Sequence, residues 1–411
     1  MKRTGIGPPR LRQPRIVRAR PRRRAGLLVI LTAAVGIVVG SLLPRIQVGA
    51  TVPTARAGQV LAAAGFGILG LVTVIYSLLF LVVQSSNTTF SPRLNLFQDD
   101  PWIRRTYAFA VGLFAFSMSA FLAMEGATDV TVALPIFAFA AALAVVGLIW
   151  HILTKAFVSM EMNSTLDTLQ RRGRGVIEAL YPERPVPGTS RSQPPAPTGG
   201  RPVPWRRPQT TLQQLELRRL LNAAERSGSV AAFHVRVGET LWPGATVAEV
   251  SGSLDDDAMA AACVTGVNRT FDQDPLFAFR LLADIGLRAV SPAINDPATA
   301  VQALDAIVGL LLELAPRDLA VGAINSSSGV TRIHLDLPAW ADFVGEGLDE
   351  LLVASRNSPM VLDRAVTTLT RLARQVPPDR LPDVSSRLEQ VHEYVRAGRL
   401  ELSKPDEALP T

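Results

Sequence analysis

Long uncharged apolar stretches fill the first third of the chain after residue 24, whereas the second half mixes apolar and charged positions at ordinary density. A membrane-spanning helix needs about 20 predominantly apolar residues. Four stretches meet this requirement, and none has Asp, Glu, Lys or Arg in its interior: residues 25–43, 60–83, 107–124 and 130–153. The pattern predicts an α-helical integral membrane protein with four transmembrane helices, over residues 25–158, followed by a soluble part.

Arginine and lysine are distributed unevenly between the two sides of these spans. Ten basic residues and no acidic residue occupy positions 1–24, and further arginines follow spans two and four. The loops on the opposite side hold Arg45 and Arg56, then Glu125 and Asp129. Because loops rich in Arg and Lys stay in the cytoplasm, we expect both termini to be cytoplasmic and the protein to lie in a bacterial cytoplasmic (inner) membrane.

The chain of 411 residues carries a net charge of +7, much of it in the basic arm at residues 1–24. A basic protein could bind nucleic acid. Since this arm precedes a membrane helix, the lipid bilayer is the simpler partner, with anionic headgroups contacting the arm. We therefore predict no nucleic-acid partner.

Small residues within the spans predict close helix packing rather than transport. Spans without ionisable groups are not typical of proton-coupled transporters. Gly36 and Gly40 form a G-x-x-x-G pattern, which leaves a homo-oligomer possible. A pore lined by hydroxyl side chains also remains open; the candidates are Thr32, Thr73, Ser77, Ser117 and Ser119.

The soluble part divides by composition. Residues 159–181 predict a helical extension, residues 182–211 a Pro-rich linker, and residues 404–411 a tail. We expect Trp205 in this linker to lie either on the membrane surface or simply in water.

Residues 212–403 predict a mostly helical α+β cytoplasmic domain. A helix is expected over residues 211–226. Strands are expected around residues 230–250, where Phe233, Val235 and Val237 alternate with polar residues, and within residues 320–337.

Metal and cofactor chemistry finds little support in the sequence. Cys263 is the only cysteine, and the four histidines have no ligand spacing, so we predict no metal site. The stretch around Gly238 and Pro243-Gly244 is similar to half of a biotin or lipoate carrier module, but it has no lysine to modify. No cofactor is predicted.

Two Asp-Pro pairs mark helix starts in the most distinctive segment. Asp274-Pro275 and Asp296-Pro297 each combine a capping side chain with a proline suited to the first helical turn. Between them, Arg280, Asp284 and Arg288 lie at i, i+4 and i+8 and form one stripe.

Two interpretations of this stripe remain open. The favoured one is a structural ladder of ion pairs. The other is a polar cleft whose arginines bind a phosphate or carboxylate. The candidate ligand-binding residues are Arg280, Asp284, Arg288, Ser291, Asn295, Asp296 and Thr299, with Asn268, Arg269, Asp272 and Asp305 as neighbours.

The segment from Leu281 to Ala300 resembles the signature of a bacterial family of predicted membrane proteins with a domain of unknown function. The resemblance covers most of residues 25–400. It implies four spans, a Val-x-x-Gly β-segment and an S-P-x-I-N-D-P-x-T-A motif, but no established activity. The family's positions correspond to Arg280, Asp284, Arg288, Ser291, Pro292, Asn295, Asp296, Pro297 and Thr299.

Three classes of function remain. The first is a non-enzymatic sensor, scaffold or assembly subunit whose cytoplasmic domain binds a partner or an anionic ligand. The second is an oligomeric channel or passive transporter. The third is a membrane-linked enzyme that uses the Arg/Asp cleft. The absence of G-x-x-x-x-G-K-[ST], G-x-S-x-G and H-E-x-x-H motifs favours the first.

Overall fold

A computed structural model describes residues 23–46, 49–89, 101–160, 162–184 and 199–402. The chain divides into two compact units, with the boundary between Ser164 and Thr165. Residues 1–22 of the predicted basic arm, residues 185–198 of the predicted linker and the predicted tail lie outside the described residues.

The first unit contains the predicted spans. Its helices are α1 (Arg23–Leu42), α2 (Thr54–Thr89), α3 (Pro101–Ala123) and α4 (Ala133–Met160), with a 3-10 turn at Leu43–Arg45. Each helix contains most of one of the four predicted apolar stretches. Their shared core includes Leu61, Ala110, Leu134 and Val145, all of them fully buried.

A short antiparallel ribbon joins two connections of this unit. β1 (Thr51–Pro53) precedes α2 and pairs with β2 (Asp129–Thr131), which precedes α4. Val130 was predicted to begin the fourth span, but it lies in β2 and is buried there. The β-branched Val and Thr residues favour this extended pairing.

Glycines bring α1 and α3 into close contact. A Cβ on Gly36 would overlap the carbonyl of Gly112, and one on Gly40 would overlap that of Phe116. Thr32 Oγ1 on α1 donates to the carbonyl of Ala108 on α3 at 2.7 Å. Gly36 and Gly40 thus allow close helix packing, as predicted, and the two packed helices belong to the same chain.

The second unit is mostly helical. Its helices are α5 (Met162–Leu180), α6 (Leu217–Arg226), α7 (Asp256–Ala262), α8 (Phe277–Ala289), α9 (Pro297–Leu314), α10 (Trp340–Val344), α11 (Glu350–Ala354), α12 (Pro359–Ala373) and α13 (Leu381–Leu402). A π-helical turn, Gly345–Asp349, joins α10 to α11. α8, α9, α12 and α13 pack in sequence around a core of Leu, Ile and Val side chains.

Two sheets cover the rest of this unit. The strands are β3 (Arg201–Pro204), β4 (Thr210–Leu215), β5 (Val230–Phe233), β6 (Thr240–Leu241), β7 (Thr246–Ser251), β8 (Cys263–Gly266), β9 (Ala323–Asn325) and β10 (Thr331–His334). One sheet has the order β3-β7-β5-β10-β9, in which only β5 and β10 run parallel, and the other is antiparallel with the order β6-β4-β8.

The predicted linker is wrong over its last part, because residues 201–204 and 210–211 belong to β3 and β4. Trp205 is 2% exposed, and its Nε1 donates to the carbonyl of Pro208 at 3.0 Å. It therefore lies neither on a membrane surface nor in water. Prolines are tolerated in β3 because this strand lies at the edge of its sheet.

Two further boundaries differ from the prediction. The helix expected over residues 211–226 begins only at Leu217, because β4 pairs with β8 up to Leu215. The alternating strand expected through Val237 ends at Phe233. β5 lies between β7 and β10, so Ala231, Ala232 and Phe233 are all buried and no exposed face alternates with them.

In the part of the chain that the structure describes, five helices are long and apolar enough to cross a membrane: α1 to α4 and, in the second unit, α9. α9 has ten buried residues and packs against α8 and α12. An apolar helix of this kind is also typical of a protein core.

Candidate functional site

The motif between α8 and α9 caps a helix. Asp296 Oδ1 accepts a hydrogen bond from the Thr299 amide at 3.1 Å, and the Thr299 hydroxyl donates to Oδ2. These two bonds lower the pKa of Asp296. The Asp296 amide in turn donates to the carbonyl of Ala289 at 2.8 Å. Asp296 and Thr299 therefore hold the start of α9 against the end of α8.

The rest of the motif shapes the loop. Ser291 Oγ donates to the carbonyl of Arg288 at 2.6 Å, and the Asn295 amide donates to the carbonyl of Ser291 at 2.8 Å. Asn295 has a φ of +50°, a left-handed conformation that Asn tolerates better than most residues. Residues 292–295 are exposed, and Ile294 keeps 49% of its surface in contact with solvent.

The charged stripe on α8 is an ion-pair ladder at one end. Arg280 Nε donates to Asp284 at 2.8 Å, and its Nη2 donates to Glu350 on α11 at 3.0 Å. Hydrogen bonding to Glu350 and then to Asp284 raises the pKa of Arg280. Arg288 lies two turns beyond Arg280, and its buried Nε has no hydrogen-bond partner in the part of the chain that the structure describes. The three residues thus do not form one continuous ladder.

A buried ion pair lies at the start of the same helix. Arg269 Nε and Nη2 donate to Asp274 at 2.7 and 3.0 Å, and the Asp274 side chain is 1% exposed. Asp274 Oδ1 also accepts the amides of Leu276 and Phe277, as predicted for a cap. Burial raises the pKa of Asp274, against the lowering by Arg269.

Glu346 extends this pair to a second element. It lies on the π-helical turn, 3.7 Å from Arg269 Nη1, and burial raises its pKa. Gly347 in the same turn packs against Ile307 and Phe279, where a larger residue would collide with Ile307. The group Arg269, Asp274, Arg280, Asp284, Glu346 and Glu350 is called the Asp274 cluster below.

A second charged group borders the Asp274 cluster. Arg236 contacts Asp336 and Asp342, each at 3.0 Å. The buried Tyr181 hydroxyl has no hydrogen-bond partner among the described residues. It lies near the charges of Arg236, Asp274 and Asp342, and burial raises its pKa. Sequence reasoning missed these residues, and also Glu346 and Glu350, because their partners are distant in the chain.

The helices α1 to α4 and the α8–α9 motif all lie within residues 22–371, which match the family described as "Predicted membrane protein (DUF2254)". The chain belongs to this family. Its identification as a membrane protein of an uncharacterised family, made from the sequence, is thereby confirmed. No solved structure matches this DUF2254 chain.

Curated relatives include uncharacterized proteins of mycobacteria. The chain is 25% identical to Rv1290c of Mycobacterium tuberculosis over 380 residues, which is 89% of this chain and 72% of the relative. The same identity and coverage hold for Mb1321c of Mycobacterium bovis. The names of these relatives give no activity.

The structure does not gather the predicted cleft of this DUF2254 chain into one place. Asp305 pairs with Arg364 on α12, with both oxygens at 2.7 Å. Thr299 belongs to the α9 cap, and Asn295 lies on the exposed loop. Of the predicted neighbours, Arg269 does share a partner with a residue of the stripe. The positive charges of Arg269 and Arg280 both act to lower the pKa of Glu346.

Chemically, the Asp274 cluster is a network of ion pairs in which two arginines are shared among four carboxyl groups. Each arginine faces at least one carboxylate, and Asp274 also caps a helix. General acid–base catalysis needs a carboxyl group that can reach a substrate. Among the residues that the structure describes, no group of three or more His, Cys, Asp or Glu could hold a metal ion. The arrangement is suited to joining α8 to the π-helical turn and α11.

Proposed function

We propose that this DUF2254 protein is a four-span inner-membrane protein with both termini in the cytoplasm. Its second unit, called the C-terminal unit below, is a non-enzymatic binding module. The observation that carries the binding module is the α8–α9 motif. The side chains of Ser291, Asp296 and Thr299 make capping and loop bonds, and residues 292–295 lie at the surface around the half-exposed Ile294. A rigid exposed loop with an apolar side chain suits contact with a protein partner.

Four spans are supported by the burial of α9. Its apolar residues already pack against α8 and α12, so membrane insertion would break that core. The orientation is supported by arginines such as Arg104 and Arg105 at the start of α3, opposite Glu125 and Asp129.

The topology is tested with single cysteines in intact cells. Cys263 is buried, so an impermeant maleimide will label an introduced cysteine selectively. We expect Ala127→Cys to react from outside and Ser327→Cys to react only after permeabilisation. Reaction of Ser327→Cys in intact cells would show a fifth span at α9 and refute four.

The binding module is tested by photocrosslinking in cells. A photoreactive amino acid replaces Ile294 in one variant and the exposed Thr367 of α12 in the control. We expect a specific crosslinked product at position 294 that is missing at position 367. Equal products, or none at either site, would contradict the proposal.

An oligomeric channel is less well supported. The groove of about 240 Å³ between α1, α3 and α4 is lined by apolar side chains, with Thr32 as the hydroxyl residue. That hydroxyl already donates to Ala108. Such a lining suits lipid rather than a hydrated ion.

An enzyme that uses the Arg/Asp cleft is also less well supported. Asp284 and Asp305 are each bonded to an arginine, and Asp296 is engaged in the cap.

A further inference from the structure

Two large apolar side chains are unusually exposed in the C-terminal unit. Val267 is 90% exposed and Trp242 is 57% exposed. The other tryptophans of this unit, Trp205 and Trp340, are 2% and 6% exposed. An exposed Trp that has a neighbouring apolar residue is a mark of an interaction surface.

The sheet topology places both residues at the same end of the three-stranded sheet. β6 and β8 flank β4 and both run antiparallel to it. Trp242 follows the last residue of β6, and Val267 follows the last residue of β8. Because the two outer strands end beside the start of β4, at Thr210 and Thr211, the backbones of Trp242 and Val267 lie at the same end of the sheet, two strand spacings or about 10 Å apart.

A basic loop enters β4 at this same end. The backbone of Trp205 is bonded to the turn after Trp242, through Ala245 O and Gly244 N–H, each at 2.8 Å. Arg206 and Arg207 follow directly. The Arg206 side chain is 75% exposed, and the Arg207 guanidinium lies 5.7 Å from the centre of the Trp205 ring. Arg206, Arg207, Trp242, Pro243 and Val267 are called the β4 tip below.

Acidic residues reduce the charge beside the tip. Asp256 pairs with Arg201 and lies 3.2 Å from Arg206 Nη2, and Asp255 and Asp257 adjoin it. We therefore expect the apolar side chains to contribute more to binding than the arginines do.

We propose that the β4 tip docks on the lipid bilayer. Trp242 and Val267 enter the headgroup region, and Arg206 and Arg207 approach the lipid phosphates. Tryptophan is enriched at membrane–water interfaces, and arginine near such a surface is attracted to anionic lipids. The chain belongs to a membrane-protein family, so a bilayer is an available partner for this surface. The proposal rests on membership of a membrane-protein family, not on the binding function proposed for the α8–α9 loop.

The test uses the full-length protein in nanodiscs of equal parts phosphatidylcholine and phosphatidylglycerol. A nitroxide label is attached to Val267→Cys or, as control, to Val330→Cys, which precedes β10 and is also exposed. Collision rates with oxygen and with a water-soluble nickel chelate report membrane depth. We expect a higher oxygen-to-nickel ratio at position 267 than at 330.

Replacing Trp242 with Ser should shift the ratio at position 267 towards the value at 330. Because Trp242 is exposed, this variant should keep the fold. Equal ratios at the two positions would overturn the proposal, and so would a ratio that Trp242→Ser leaves unchanged. A label at 267 that is shielded from both reagents would show a protein partner or a second copy instead, and would also overturn it.

Discussion

Gly238 packs directly against the carboxylate of Asp274. A Cβ added to Gly238 would overlap Oδ2 and lie 2.9 Å from Cγ of Asp274 and 3.0 Å from Nε of Arg269. The φ of Gly238 is +98°, which L-residues rarely adopt. The β-segment around Gly238 and the helix start at Asp274 are thus parts of one structure.

Gly238→Ala should destabilise the C-terminal unit strongly, because it adds a steric clash to backbone strain. Gly244 is a matched control, since its φ is +83° and no atom lies within 4 Å of an added Cβ. We expect Gly244→Ala to cost about 1 kcal/mol from strain and Gly238→Ala clearly more. Thermal unfolding of the full-length protein in detergent measures both. Equal losses would show that the contact with Asp274 is unimportant.

Arg269→Gln should cost about 3 kcal/mol, because it leaves the buried Asp274 carboxylate without its cation. The control is Arg364→Gln, which breaks the pair with Asp305. The side chains of that pair are 45% and 35% exposed, so we expect a loss of about 0–1 kcal/mol. Denaturant unfolding of the two variants gives the comparison. Similar losses of stability in the two variants would contradict a structural role for the Asp274 cluster.

Asp296→Ala should cost about 1 kcal/mol through loss of the α9 cap. The folded-state pKa of Asp296 is lowered, so the charge stabilises the fold above the unfolded pKa of about 3.9. This contribution disappears as pH falls through the folded pKa.

Asp296→Asn keeps a capping oxygen without the charge and serves as the control. The difference in stability between wild type and Asp296→Asn should be constant near neutral pH and shrink below about pH 4. Unfolding curves recorded over pH 3 to 7 test this, and a gap that widens in acid would contradict it.

Gly36→Leu should separate α1 from α3, because its Cβ would overlap the Gly112 carbonyl oxygen and lie 3.0 Å from the Phe116 amide nitrogen. Gly67 in α2 has open space around it, so Gly67→Leu is the control. We expect a lower midpoint of thermal aggregation in detergent for Gly36→Leu alone. If both variants behave as wild type, close packing of α1 on α3 is not needed for stability.

Local signals in the sequence predicted the features whose partners are near in the chain. The Asp296 cap lies three residues from Thr299, and the Arg280–Asp284 pair lies on a single helix turn. Residue type and spacing are sufficient for such contacts, so the sequence predicted the α8–α9 segment and the apolar helices well.

Features that need distant partners were missed. Thr210 and Thr211 belong to a strand because Thr210 pairs with Leu241 and Thr211 pairs with Gly266, both distant in the chain. Arg280 meets Glu350 and Arg269 meets Glu346 only after the π-helical turn packs on α8. Trp205, surrounded by prolines and arginines, was assigned to a linker, because its burial depends on pairing with the turn at Ala245.

The apolar character of α9 has a consequence for biosynthesis. α12 and α13 are translated after α9, and α12 packs against it. Translation proceeds at about 5–20 residues per second, so several seconds pass between the synthesis of α9 and that of α12. In the four-span topology proposed above, this period follows directly on the membrane insertion of α1 to α4, while α9 has the length and hydropathy of a span. In that topology, early pairing of α9 with α8, fixed by the Asp296 cap and the loop bonds, would keep α9 out of the membrane during translation.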